Sequence, residues 1–189
     1  MSSAASDIFQ RHRLTVAEYY RMGEVGILPQ DARVELVEGE VIDMPPIGSP
    51  HAGTVDYVAD VFRLAYSGRA IVRAQNPVFL DLHSEPQPDI ALLRSRPDFY
   101  RSAHPTPADV LLIVEVADIS LAYNTQIKLP LYARHGIPEV WLVDLPNRRF
   151  LVHCTPTQMR FQDVQTLTDL SAVTSLLLPG VSIDLSGVF

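Results

Sequence analysis

The run Val110–Ala117, VLLIVEVA, is apolar at every position but one. A stretch of that length and content fits a strand covered on both faces, the centre of a sheet with helices packed on it. The exception is Glu115. A carboxylate inside such a strand loses its hydration, and an unpaired buried charge is costly. Protonation, a buried Lys or Arg, or a metal ion could each compensate. A structural ion pair near the sheet edge explains Glu115 equally well when the residue is taken alone.

The segments around that strand alternate between helical and extended periodicity. Thr15–Met22 is predicted as a short helix, with Thr15 as N-cap and Glu18 three residues on. RVELVEGEVIDM, Arg33–Met44, alternates around Gly39 and is predicted as a β-hairpin. Val55, Val58, Val61, Phe62 and Ala65 recur at helical spacing, predicting a helix over Pro50–Ser67 that Gly68 closes. Ala70–Ala74 and Val78–Leu82 read as one bent strand or two, broken at Pro77. Pro88–Leu93 reads as another strand. A loop with three prolines, Arg94–Ala108, then leads to Val110. Asn124–His135 is predicted as a helix presenting Ile127, Leu131 and Arg134 on one stripe, kinked at Pro130 and stopped at Gly136. Glu139–Val143 and Arg149–Cys154 are predicted strands, with short strands and loops beyond. The order of helix, strands, helix, strand predicts an α/β domain with a mixed sheet.

With 189 residues, 47% of them hydrophobic, the chain can bury a sizeable core. The expected organisation is a flexible segment over residues 1–13 followed by a single domain over 14–189. No apolar stretch is long enough to span a bilayer, and Met1–Gln10 has no apolar signal-peptide core. Cys154 is the only cysteine, which excludes an internal disulfide and a cysteine-based zinc site. A cytoplasmic setting is the expectation. The net charge of -7 argues against an extended phosphate-binding face, because duplex binding rests on Lys and Arg. Local basic clusters, such as Arg94, Arg96 and Arg101, are explained more cheaply by a solvated surface than by a phosphate track.

Asp89 stands early in a predicted strand, where Asp is a poor former, and it either caps a turn or meets Glu115 at one end of the sheet. Two carboxylates held close repel unless a cation lies between them, and oxygen ligands with open positions suit Mg²⁺. Lys128 lies about one turn into the predicted helix, beside its apolar stripe, from where its ammonium could reach the strand ends or face solvent. His51 falls at a predicted helix start, where capping is the simplest role. Gln75 lies on the strand preceding Asp89, where a substrate or water contact is conceivable. Ser49, Ser120 and Cys154 lack the context of an activated nucleophile, and no glycine-rich phosphate loop is present.

Several stretches together resemble the Uma-type restriction-endonuclease family within the PD-(D/E)XK nuclease superfamily. They are PQPDIALL, LLIVEVADIS and KLPLYARHGIPEVWLVD, supported by RVELVEGEVIDMPP, QNPVFLD and HPTPADV, and the resemblance runs from about Leu14 to the C-terminus. It implies a restriction-endonuclease-like core of αβββαβ order, here with an N-terminal helix and hairpin and extra C-terminal strands. Pro88-Asp89 would be the PD element and Glu115 the (D/E) element. The plain superfamily pattern puts a lysine two residues after that acid, where this chain has Ala117. The family's lysine on the following helix corresponds to Lys128. Glu35 matches an acidic hairpin position that would complete a metal shell, with Glu40 as its rival, and His51 matches a position where the family often has histidine. Asn124 stands where family members usually carry Asp, four residues before the lysine.

The implied activity is a Mg²⁺-dependent (Mn²⁺-compatible) endonuclease acting on DNA, with Asp89, Glu115 and Lys128 catalytic and Asp89, Glu115 and Glu35 holding the metal. A homodimer would suit cleavage of both strands. The rival is a nuclease-fold module used for binding or assembly, favoured by the acidic charge and by Asn124. For a small-molecule hydrolase no nucleophile is evident.

Overall fold

A computed structural model describes residues 11–189 of the chain. Residues 1–10 of the expected flexible segment lie outside that range. Two compact units emerge: the described residues up to Pro45 together with Phe79–Pro86, and Pro46–Val78 together with Gln87–Phe189.

The first unit is a helix and a hairpin. Helix α1, Val16–Glu24, opens on a capping box in which Thr15 and Glu18 satisfy each other's backbone N–H groups, as their spacing predicted. Strands β1, Val34–Val37, and β2, Glu40–Asp43, pair antiparallel across Glu38-Gly39, both at positive φ. That is the primed turn whose twist matches the hairpin. A Cβ on Gly39 would stand 2.5 Å from the Cβ of Arg13, so glycine is needed for space as well as for φ. Phe79–Pro86 belongs here too, and the Glu85 N–H donates to the Leu36 carbonyl. The expected strand over Val78–Leu82 does not form. It follows Pro77, which offers no ladder N–H, and Leu80 bonds instead to Ser84 across a local turn.

The second unit carries the sheet. Helix α2, Ser49–Ala65, has Pro50 in its first turn and ends before Gly68 at φ 73°. Strands β3, Ala70–Ala74, β4, Ile90–Arg94, and β5, Val110–Ala117, follow. Next comes a helical crossover made of α3, Leu121–Tyr123, a π-turn, Asn124–Lys128, and α4, Leu129–Arg134. Strands β6, Glu139–Asp144, β7, Arg149–Pro156, and β8, Phe161–Leu167, complete a six-stranded sheet of order β3-β4-β5-β6-β7-β8. Only β5 and β6 run parallel, which is why a helical crossover joins them. From α2 to β6 the order is αβββαβ, as the resemblance implied. All eight residues of β5 are buried, as a central strand requires.

One face of the sheet packs on α2, where Phe62, Trp141 and Phe150 stack edge to face at 5.7 and 5.4 Å. The short pair β9, Val173–Thr174, and β10, Ser182–Ile183, joins this core. Glu139 anchors it: its carboxylate accepts from Trp141 Nε1 and from the hydroxyl of Ser175 and the N–H of Leu176. Among the described residues no helix is long and apolar enough to cross a membrane.

Candidate active site

The alternation of the sheet decides which side chains meet. Ile90, Leu92, Val114 and Val116 belong to the α2-side core, so Asp89 and Glu115 project from the opposite face. The register pairs Ile90 with Val114, and one antiparallel step further sets Asp89 across from Glu115. Asp89 is therefore the residue that leads into β4 rather than one inside it. Its Oδ2 accepts the Val116 N–H at 2.9 Å, a bond that ties it to the neighbouring strand.

Each carboxylate has its own partners. His51, in the first turn of α2, places Nε2 3.2 Å from Asp89 Oδ2, and Gln75 Nε2 stands 3.5 Å from Oδ1. Burial works against ionisation of Asp89. The hydrogen bond and charge of His51, the Lys128 ammonium and the Val116 N–H outweigh it and hold the carboxyl below its ordinary range. The same hydrogen bond raises the His51 imidazole against the effect of its burial. Glu115 is the reverse case. Burial dominates and, with the repulsion of Asp89, pushes it up to about 7 in spite of Lys128 and Tyr132. Lys128 Nζ lies 2.9 Å from Glu115 Oε1 and donates at 3.2 Å to the Gln87 carbonyl. The Tyr132 hydroxyl donates to the same Oε1 at 2.6 Å.

The crossover helix brings these groups in because of its π-turn. The Leu129 N–H donates to the Asn124 carbonyl, one residue further back than in an α-helix. Pro130 explains the irregularity, since it has no N–H and its ring excludes the carbonyl one regular turn back. The wider turn shifts the inward stripe. Asn124, Lys128, Leu131 and Tyr132 are buried, whereas Ile127 and Arg134, expected on the apolar stripe, are exposed. The helix also begins earlier than expected, at Leu121, so Asn124 lies within it and does not cap it. Its side-chain amide donates to Ser120 Oγ at 3.4 Å.

Asp89, Glu115, Lys128, His51 and Gln75 thus share one cluster, and Asn124 lies one turn from Lys128. Glu35 is buried in β1 of the first unit, and Glu40 is exposed on β2. Tyr132 and the backbone of Gln87 and Val116 were not found by sequence reasoning. Tyr132 stands four residues after Lys128, a spacing that puts both on one helix face. That spacing marks adjacency but assigns Tyr132 no chemistry, since a tyrosine on an amphipathic helix is ordinary. Backbone partners leave no mark in a sequence.

Among the described residues no group of three or more His, Cys, Asp or Glu side chains is arranged to hold a metal ion. The donor chemistry of the pair fits Mg²⁺ nonetheless. That ion is bound by one or two carboxylates and keeps several waters, and Asp89, held ionised, faces Glu115 across the β4-β5 register.

A six-stranded mixed sheet whose α2–β6 part runs αβββαβ defines a mixed α/β fold. A crystal structure described as that of "a putative nuclease belonging to DUF820" from Anabaena variabilis matches it with a TM-score of 0.70 and 16% sequence identity, over 93% of this chain and 97% of that one. No curated protein matches the chain. Residues 16–186 match the family described as "Uma2: Putative restriction endonuclease", and the chain belongs to that family.

Proposed function

We propose that the protein is a Mg²⁺-dependent DNA endonuclease of the PD-(D/E)XK type, with its centre at Asp89, Glu115 and Lys128. The observation that carries this reading is the cross-strand carboxylate pair, with Lys128 2.9 Å from Glu115 on one side and His51 3.2 Å from Asp89 on the other. Buried acids without such a purpose are replaced by apolar residues at little cost.

Asp89 and Glu115 would hold the ion. The ion would lower the pKa of a bound water and offset charge building on the phosphate. The chain's own groups prepare that chemistry. The Val116 N–H and His51 fix the Asp89 carboxylate in its ionised form. The Tyr132 hydroxyl orients Glu115 through Oε1. Lys128, held by the Gln87 carbonyl, keeps an ammonium beside the pair that can turn to a phosphate oxygen when DNA enters. With Ala117 in the plain motif's lysine position, Lys128 serves from the helix instead.

Incubation with supercoiled plasmid should show nicking that requires Mg²⁺ or Mn²⁺ and falls below detection in Asp89→Ala. Unchanged nicking in that variant would sink the assignment. Asn124 supports one rival, a binding module on the same fold, because an amide supplies no negative charge where the family usually has Asp. Titration calorimetry separates the two: the nuclease binds Mn²⁺ in the micromolar to millimolar range and the module does not.

A further inference from the structure

The two oxygens of Asp89 are used unequally. Oδ2 accepts the Val116 N–H at 2.9 Å and has His51 Nε2 at 3.2 Å, which takes up both of its lone pairs. Oδ1 has a single hydrogen-bonding neighbour among the described residues, Gln75 Nε2 at 3.5 Å. That separation is at the outer limit of a hydrogen bond, so the amide is weakly held. Oδ1 is therefore the oxygen of Asp89 open to a cation, and the Gln75 carboxamide is the group that stands at it.

Gln75 is exposed, whereas Asp89 is buried, so the amide lies on the side from which a substrate arrives. The backbone fixes its position. The Gln75 N–H donates to the Asp89 carbonyl at 2.9 Å. Asn76 clamps the same turn, with Nδ2 donating to the Ala74 carbonyl at 2.6 Å and Oδ1 accepting from Arg73 Nη2 at 3.0 Å. Between these anchors Gln75 is held at φ 52°, in the left-handed region. Glycine, asparagine or aspartate adopts that conformation at less cost than glutamine. The one long bond to Oδ1 stabilises too little to account for glutamine in that place. Backbone strain of this kind is kept where the side chain is used.

We infer that Gln75 is a substrate-contacting residue whose carboxamide N–H donates to an oxygen of the phosphate brought to Asp89. A cation at Oδ1 would release the Nε2 donor from that oxygen, and a phosphate beside the cation offers the acceptor that replaces it. The amide is neutral, so it holds a phosphate oxygen without competing with the cation for the carboxylate. The inference rests on the nuclease reading, and its test keeps the two apart.

The wild type, Asp89→Ala, Gln75→Gly and Gln75→Glu should be compared in single-turnover plasmid nicking in Mg²⁺. Mn²⁺ affinity by titration calorimetry and the melting temperature are measured on the same proteins. Gln75→Gly removes the amide and relaxes φ. It should melt no lower than the wild type and bind Mn²⁺ within about twofold of it, yet nick about tenfold more slowly or worse. Gln75→Glu keeps the size but exchanges the donor for a charged acceptor, so it should nick more slowly still while binding Mn²⁺ no more weakly. Nicking by Gln75→Gly at the wild-type rate would overturn the inference. A loss of Mn²⁺ affinity in step with nicking would overturn it by making Gln75 act through the ion, and a lowered melting temperature would do so by making its contact structural. Faster nicking by Gln75→Glu than by Gln75→Gly would show that an oxygen is needed there, and would overturn the donor role. If the wild type nicks DNA and Asp89→Ala does not, such failures count against Gln75 alone. If the wild type does not nick DNA, the nuclease reading falls and this inference falls with it.

Discussion

At the scale of single residues, the candidate site is a set of buried charges that satisfy one another. Glu115 has 1% of its surface exposed and is pushed up to about 7 by burial, yet it has an ammonium and a phenol on the same oxygen. Tyr132 is a direct place to measure that balance, because its hydroxyl donates to Glu115 Oε1. Tyr132→Phe should cost about 1.5–3 kcal/mol of stability, the range for a hydrogen bond to a charged group, when metal-free protein is unfolded in urea at pH 8. It should also slow nicking, since Glu115 would lose one of the two contacts that orient it. A variant as stable as the wild type would show that the hydroxyl bond contributes nothing net. Glu115 was legible in the sequence because one acid in an apolar strand is anomalous by itself. Tyr132 was not, because a tyrosine in an amphipathic helix is ordinary.

At the scale of elements, the boundaries that local chemistry dictates are those the sequence announces. The capping box of α1, the Glu38-Gly39 turn and the stop at Gly68 each form where their residues predict. Gly39→Ala should test the turn: the added Cβ meets Arg13 and φ is +83°, so protection of the β1-β2 amides from hydrogen exchange should fall by at least tenfold. Unchanged protection would refute the steric account. The Val78–Leu82 strand and the phase of the crossover helix were misjudged for one shared reason. In both a proline removes a backbone donor, and the chain answers with a local turn in one case and a π-turn in the other. Strand β7 contributes an element-level pH dependence. His153 is buried against Phe161 with no hydrogen-bond partner for Nδ1 among the described residues, and its burial depresses the imidazole below the usual range, offset in part by the Val140 backbone. A histidine depressed in the fold takes up its proton more readily when unfolded. Its contribution is therefore intact above the unfolded pKa of about 6.5 and is lost as pH falls from there toward the folded value. His153→Phe should be less sensitive to acid than the wild type when melting temperatures at pH 7.5 and 5.5 are compared. An equal drop in both would show that His153 does not titrate in this window.

At the scale of the whole molecule, charge bears on the proposed DNA substrate. A net charge of -7 argues against a wide phosphate-binding surface, so few phosphate contacts are expected of the proposed nuclease. Duplex affinity should consequently fall by less than the roughly 10³-fold expected of six phosphate contacts between 50 and 200 mM salt. A steeper loss would reveal a basic track that the charge distribution does not suggest. What the sequence determined alone is whatever depends on near neighbours in the chain: the order of elements, the central strand, the caps and turns, and the anomaly of Glu115. These follow from periodicity and from residues that act within four positions of one another. The tertiary structure decided which distant groups share a site. The β4-β5 register sets Asp89 opposite Glu115, and a one-residue slip would have turned Asp89 into the α2-side core. The π-turn rotates Lys128 and Tyr132 onto Glu115. Register and helix phase are settled by packing across the whole sheet, and no short stretch of sequence contains them.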